Sequence, residues 1–307
     1  MTKLRAIFMG TPEFVIGSLE LVAAECELVG VFTKAPAPVG RKQILTPSPV
    51  AVWAEANAAG VPVITPRSLR KQPEFVEEVR SLKPDIIIVF AYGLILPQSV
   101  LDIAPCVCVH PSALPLYRGM NPIGRAIWNG DSFTEVDLIA MDAGVDTGAV
   151  LLRRRIELNP SITRGALEEI VAAESVSALR KYLAAPADFP PVAQEGEASM
   201  AAAFSAEELA IDFSLPARAV LARINALLPT PAGYFVANGE KIKIHSAVIP
   251  ANAGIQSIYK NWIPGQARYD NGRLFIMCSD DVIEILRAQR PGGKILAARD
   301  FLNGFKI

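Results

Sequence analysis

At 307 residues, with 51% hydrophobic and 20% charged side chains, the chain has the make-up of a folded protein of about two domains rather than a disordered or fibrous one. Its 30 basic and 31 acidic residues leave a formal charge of −1, which excludes a protein coated in positive charge but not a local phosphate-binding patch. No run of about 18 apolar residues marks a membrane span, the opening MTKLRAIFMG is too short in its apolar part for an export signal, and Cys26, Cys106, Cys108 and Cys278 lack disulfide-framework spacing, so reduced thiols in a cytoplasm are expected.

The first half alternates short apolar strands with helical stretches. Leu4–Met9 reads as the first strand, Gly10-Thr11-Pro12 as a turn and Glu13–Ala24 as a helix. Cys26–Thr33 is the second strand. Thr33–Val50 carries four prolines and no strand or helix period, so it reads as a surface loop, made modestly basic by Lys34, Arg41 and Lys42. A plain loop and an arm that touches phosphates are both open here. Val50–Ala59 is helical, Val61–Ile64 a short strand and Gln72–Leu82 a helix with Glu77, Glu78 and Arg80 on its wet side. Asp85–Phe90 is a continuous β-branched run, which suits a parallel strand covered on both faces. Cys106–His110 is the next strand. Strands separated by helices of this length predict βαβ crossovers and a doubly wound α/β sheet.

Near Asp188 the texture changes. Phe189-Pro190-Pro191 and the polar run that follows read as a linker over 189–206. Glu207–Leu228 is expected to be mostly helical. Lys241–His245 and Leu274–Cys278 alternate with period two, which predicts a small antiparallel β-domain, in the form of a barrel. Pro250–Gly272, rich in Gly, Asn and Pro, reads as a long loop or insertion.

Chemistry concentrates in Val107–Pro122, VCVHPSALPLYRGMNP. His110 is one of two histidines in the chain, and imidazole is the side chain suited to proton transfer near pH 7. In a strand, Cys106, Cys108 and His110 share one face, and His110 falls at the strand's C-terminal end, where ligands of open α/β sheets sit. A second cluster, MDAGVDTG at Met141–Gly148, carries Asp142 and Asp146. Each is a turn former or a carboxylate able to orient the imidazole, and the sequence does not pair either with His110. Cys106, Cys108 and His110 invite a zinc reading, but no second Cys/His pair is near, so no metal is expected. Cys108 is then a nucleophile beside His110 or a small buried residue.

Together these residues resemble the folate-dependent formyltransferases, and within them the methionyl-tRNA formyltransferase family. The resemblance runs over nearly the whole chain: FMGTPEF, LTPSPV, FAYGLILP, HPSALPLYRGMNPI, AIWNGD, MDAGVDTG, AIDFSLPA, LLPTPAGYF and FLNG. It implies a Rossmann-like catalytic domain over 1–188, a linker over 189–206, and an OB-like tRNA-holding domain over 207–307. It implies transfer of a formyl group from 10-formyltetrahydrofolate to the amine of methionyl-initiator-tRNA, by a monomer in the cytoplasm with no membrane contact. By position, His110 and Asp146 match the family's catalytic pair. Phe90, Ala91, Tyr92, Gly93, Leu94, Ile95 and Leu96 match the segment lining the pterin pocket, and Ser112, Ala113, Leu114 and Pro115 its folate signature. Arg41 and Lys42 match the basic loop that approaches the acceptor stem. Cys108 stands where the family carries an Asn that donates to the formyl oxygen, and a thiol is a weak donor, so a reduced rate is implied. Two alternatives stay open: formylation of a sugar nucleotide or other small amine, and a catalytically weakened folate- or RNA-binding relative.

Overall fold

The computed structural model describes residues 3–40, 42–250, 263–270 and 272–305. They form two compact units. The first holds residues 1–120, 135–156 and 168–201; the second holds 121–134, 157–167 and 202–307.

The first unit follows the alternation of the sequence. Strand β1 (Arg5–Gly10) leads through a 3-10 turn into α1 (Ile16–Glu25), and β2 (Glu27–Phe32) follows. The stretch read as an irregular loop contains a hairpin, β3 (Ala37–Val39) with β4 (Ile44–Thr46). Its turn places Gly40 and Gln43 at positive φ, and the Gln43 side chain donates to the Gly40 carbonyl at 2.8 Å. All six strand residues are exposed, so no buried face printed a period-two pattern on the sequence.

Helix α2 (Pro49–Asn57) starts at Ser48, whose hydroxyl accepts the Ala51 N–H at 3.0 Å, with Pro49 in the first turn; this is the expected N-terminal chemistry. Then come β5 (Val63–Ile64), α3 (Glu74–Ser81), β6 (Ile86–Phe90), α4 (Gln98–Leu101), β7 (Cys106–His110) and the short β8 (Arg118–Gly119). Every residue of β6 and β7 is buried, as expected for central strands covered on both faces.

Helix α5 (Pro122–Asn129) belongs to the second unit and ends on Gly130 at φ 74°, the left-handed cap that glycine fills without strain. After it come β9 (Phe133–Ala140), β10 (Val150–Glu157) and α6 (Arg164–Ala184). The main sheet runs β10-β9-β7-β6-β1-β2-β5. Strands β7, β6, β1, β2 and β5 are mutually parallel, and β9 runs antiparallel to β7. This is a Rossmann-like sheet whose C-terminal strand ends carry the loops after β6 and β7.

The segment read as a linker is tied to the first unit up to residue 201. Val192 and Val150 exchange both backbone hydrogen bonds, at 2.7 and 2.8 Å. Strand β11 (Met200–Ala201) pairs with β8.

In the second unit, helix appears only as α7 (Ala217–Ala226) within the expected Glu207–Leu228 stretch. Two local bonds explain the difference. Asp212 Oδ1 accepts from Ser214 N and Oγ at 2.9 and 2.6 Å, an Asx turn that competes with helix. The Ile211 N–H also goes to the Tyr234 carbonyl at 2.9 Å, drawing the segment to a strand. Strands β12 (Tyr234–Ala237), β13 (Glu240–Val248), β14 (Ala267–Asp270), β15 (Arg273–Met277) and β16 (Val282–Gln289) form an antiparallel sheet in the order β12-β13-β16-β15-β14. Strand β17 (Leu296–Ala297) pairs with β16, and α8 (Ala298–Gly304) follows. This is an OB-like half-barrel, with Ile242, Ile244, Leu274, Ile276, Ile283 and Ile285 at its core. The expectation of a loop over 250–272 holds for no more than part of that span: its described residues include β14, which pairs with β15, and residues 251–262 and 271 lie outside the described residues. Three of the four β14 residues are exposed, which hid the strand.

Candidate active site in the first unit

His110 closes β7 and is 3% exposed. Its Nε2 lies 3.0 Å from the Tyr117 carbonyl oxygen. A carbonyl only accepts, so Nε2 carries the proton and Nδ1 of the neutral ring is the free base. Nδ1 faces Asp146 Oδ2 at 3.5 Å. Burial lowers the His110 pKa below the ordinary 6.5; the Asp146 carboxylate and the Tyr117 carbonyl oppose this, and the Arg118 guanidinium adds to it. The ring therefore rests neutral near pH 7.

Of the two aspartates in MDAGVDTG, the fold pairs Asp146 with His110. Asp146 sits at φ 51°, and its Oδ2 also accepts the Gly119 N–H at 2.8 Å. Asp142 instead folds its own loop, accepting from Gly144 N at 3.0 Å and Thr147 Oγ1 at 2.5 Å. A Cβ at Gly144 would collide with Thr147 and one at Gly148 with the Ala140 carbonyl, so this tight loop needs glycine at both places.

Cys108 is 8% exposed and packs in the apolar cluster that includes Cys106, Leu114 and Ile139. Burial first, then Asp146 and Cys106, push its thiol well above the ordinary value. A thiol held protonated is not a nucleophile, so that reading of Cys108 is not supported. No group of three or more His, Cys, Asp or Glu among the described residues is arranged to hold a metal.

A cavity of about 230 Å³ opens beside Asp146, lined by Leu94, Ile95, Leu96, Ile139, Met141, residues 142–148 and Arg70. Of the expected pocket segment, Leu94, Ile95 and Leu96 are there. Phe90 turns into the core, edge-to-face with Phe14 at 5.2 Å. Tyr92 is also buried, while Ala91 and Gly93 take positive φ at the bend. Ser112, Ala113, Leu114 and Pro115 do not line the cavity. They shape the turn after β7: Ser112 Oγ donates to the Leu116 carbonyl at 2.7 Å, and the Leu114 N–H goes to Asp137 Oδ2 at 3.1 Å. Lys42 is exposed beside the β3–β4 turn, and Arg41 lies outside the described residues.

Three residues escaped the sequence reading. Arg70 places a cation on an otherwise largely apolar wall. Arg118 lies within electrostatic reach of His110. Asp137, cross-strand from His110, is fully buried; burial raises its carboxyl to about 8, against the pull of Arg153 and the Leu114 N–H and with the push of Glu135. No motif signalled Arg70 or Asp137, and Arg118 lies within HPSALPLYRGMNPI without anything there marking its bearing on His110.

The Asp137 carboxyl carries a prediction. The native state keeps a proton that the unfolded chain releases near pH 4, so stability falls as pH rises from about 4 to about 8 and levels above. Asp137→Asn removes that slope. Its thermal unfolding is expected to match wild type near pH 4 and to exceed it at pH 8 by a few kcal/mol (roughly 2–5). Parallel melting curves across pH would contradict the assignment.

The residues fit a folate. Leu94, Leu96, Ile139 and Met141 offer apolar walls to a flat ring, and Arg70 offers a cation to a carboxylate tail.

Comparison with known proteins agrees with this chemistry. Residues 10–183 match the formyl transferase family model, and residues 204–306 match that of the formyl transferase C-terminal domain. The chain is 39% identical over 309 aligned positions to the methionyl-tRNA formyltransferase of Xanthomonas campestris, covering 98% of this chain and 97% of that one. It shares its fold with the methionyl-tRNA formyltransferase of Clostridium thermocellum, at TM-score 0.56 and 17% identity over 96% of this chain and 99% of that one. The same holds for an N-formyltransferase of Helicobacter canadensis solved with folinic acid and dTDP-3-aminofucose, at TM-score 0.65 and 19% identity over 94% and 100%. With both domains matched and a curated relative aligned almost end to end, the chain belongs to the formyl transferase family, among relatives named methionyl-tRNA formyltransferase.

Proposed function

We propose that the protein transfers a formyl group from 10-formyltetrahydrofolate to the amine of methionyl-initiator-tRNA. The observation that carries this reading is Asp146, which meets His110 on one side and lines the largely apolar cavity on the other. The folate supplies a formyl group on a nitrogen that becomes the leaving amine. The chain's residues supply orientation and proton transfer. Neutral His110 takes at Nδ1 the proton released by the amine as it bonds to the formyl carbon. The Asp146 carboxylate stabilises the charged ring that results, and the ring returns that proton to the leaving nitrogen as its bond to the formyl carbon breaks. The Tyr117 carbonyl holds the ring through Nε2, and the Gly119 N–H holds the carboxylate. Cys108 lies on the same strand face as His110, where the oxygen of the formyl group gains charge, and contributes only a weak donor there.

We assign formyl transfer to the first unit and tRNA holding to the second, with Lys42 on the β3–β4 hairpin as a further phosphate contact. No described helix is long and apolar enough to cross a membrane, and the reading places the enzyme in the cytoplasm as a monomer.

The test supplies purified protein and 10-formyltetrahydrofolate with one amine at a time. Methionylated initiator tRNA is expected to be formylated with a kcat/KM at least about 100-fold above that for free methionine or a dTDP-amino sugar, because only the tRNA engages the second unit. Equal or faster turnover of the amino sugar would overturn the reading.

A further inference from the structure

Gln194 lies in the segment after α6, and nothing in its local sequence marks it. Its side-chain amide uses all of its hydrogen-bonding capacity. The oxygen accepts from Arg118 Nε and Nη2 at 3.1 and 2.6 Å. The nitrogen donates to the backbone carbonyls of Asp146 and Gly148, each at 2.8 Å. One amide therefore bolts together two loops far apart in sequence. One loop presents Asp146 to His110. The other presents the Gly119 N–H that holds the same Asp146 oxygen.

The clamp acts where the backbone needs it. Asp146 is a non-glycine residue at φ 51°, a conformation that the surroundings must hold in place. The neighbouring chain anchors the clamp from behind. Ser199 accepts the Tyr117 N–H through its hydroxyl and the Arg118 N–H through its carbonyl, both at 2.9 Å. The paired Val192 and Val150 fix the other end of the segment.

We propose that Gln194 is a positioning residue for formyl transfer, holding the Asp146 loop so that its carboxylate bears on His110. This rests on the reading of His110 and Asp146 as the acid–base pair. Gln194 neither touches the imidazole nor lines the cavity, so it acts through the Asp146–Gly148 loop and Arg118.

Two substitutions separate its functions. Gln194→Leu removes every bond. Gln194→Glu keeps an acceptor for Arg118 but loses both donors and sets a carboxylate against two carbonyls. Both are expected to lower kcat for charged tRNA about 10- to 100-fold, with KM for the tRNA within about twofold of wild type. Gln194→Leu should also move the acid limb of the kcat profile to lower pH, because a displaced Asp146 no longer favours the charged ring, whereas the carboxylate of Gln194→Glu offsets the Arg118 cation and opposes that shift. Among the described residues, the titratable and charged groups around that ring are Asp146, Arg118, Cys108 and the cross-strand Asp137, and none is substituted.

A merely structural Gln194 would lower the melting temperature while leaving kcat per folded enzyme and the acid limb unchanged; that result overturns the proposal. If the Leu variant does not fold, the Glu variant decides by kcat per folded enzyme against KM. His110→Ala run alongside separates the two layers. Inactive His110→Ala with fully active Gln194 variants removes the clamp and leaves the catalytic pair. Fully active His110→Ala removes the pair itself.

Discussion

His110→Ala is expected to lower kcat for methionyl-tRNA about 1000-fold, within the roughly 100- to 10,000-fold span of general acid–base catalysis. The loss follows from Nδ1 being the unprotonated nitrogen that faces Asp146 while Nε2 is committed to the Tyr117 carbonyl. His110→Asn, which keeps a donor for that carbonyl, should lose about as much and so separates proton transfer from packing. The pH dependence has a definite sign. Burial lowers the His110 pKa, so the base form persists to below pH 6.5 and activity falls only as the pH drops through that lowered value. Arg118→Gln removes a cation that disfavours the charged ring, so its acid limb should move upward. Retention of the wild-type rate by either His110 variant, in single-turnover measurements with saturating folate, would remove His110 from the chemistry.

Cys108→Asn is the change expected to raise the rate. The thiol is buried, protonated and a weak donor, and it stands where the family resemblance implies an asparagine. One donor aimed at developing oxyanion charge contributes on the order of 100- to 1000-fold, so a gain of about 100-fold in kcat is expected if the amide reaches the formyl oxygen. The side chain is 8% exposed among apolar neighbours, so a loss of about 1–2 kcal/mol in stability should accompany the gain. Unfolding curves measured beside the rates separate the two effects. An unchanged or lower kcat in a folded variant would show that this chain stabilises the oxygen by other groups.

Much of the first unit was legible because its strands are buried on both faces. Ile86–Phe90 and Cys106–His110 print continuous apolar runs, and helices such as α3 bury Val76 and Val79 on one side. Where burial is absent, the pattern vanishes. The exposed β3–β4 hairpin and β14 carry no alternation, and the turn at Asp212 broke a helix that the residue types alone favoured.

The segment around His110 and the MDAGVDTG loop were visible in the sequence because their residue types are scarce or turn-specific. Which aspartate served the histidine was not visible. Both are four residues apart in one loop, and only the tertiary structure turns Asp142 inward on Thr147 and Asp146 outward to His110. Local chemistry and strand burial thus determined most of the elements and pointed to the candidate residues. The pairing of His110 with Asp146, the proton's place on Nε2, and the roles of Arg118, Asp137 and Gln194 were decided by contacts between segments up to about 80 residues apart, which no local period encodes.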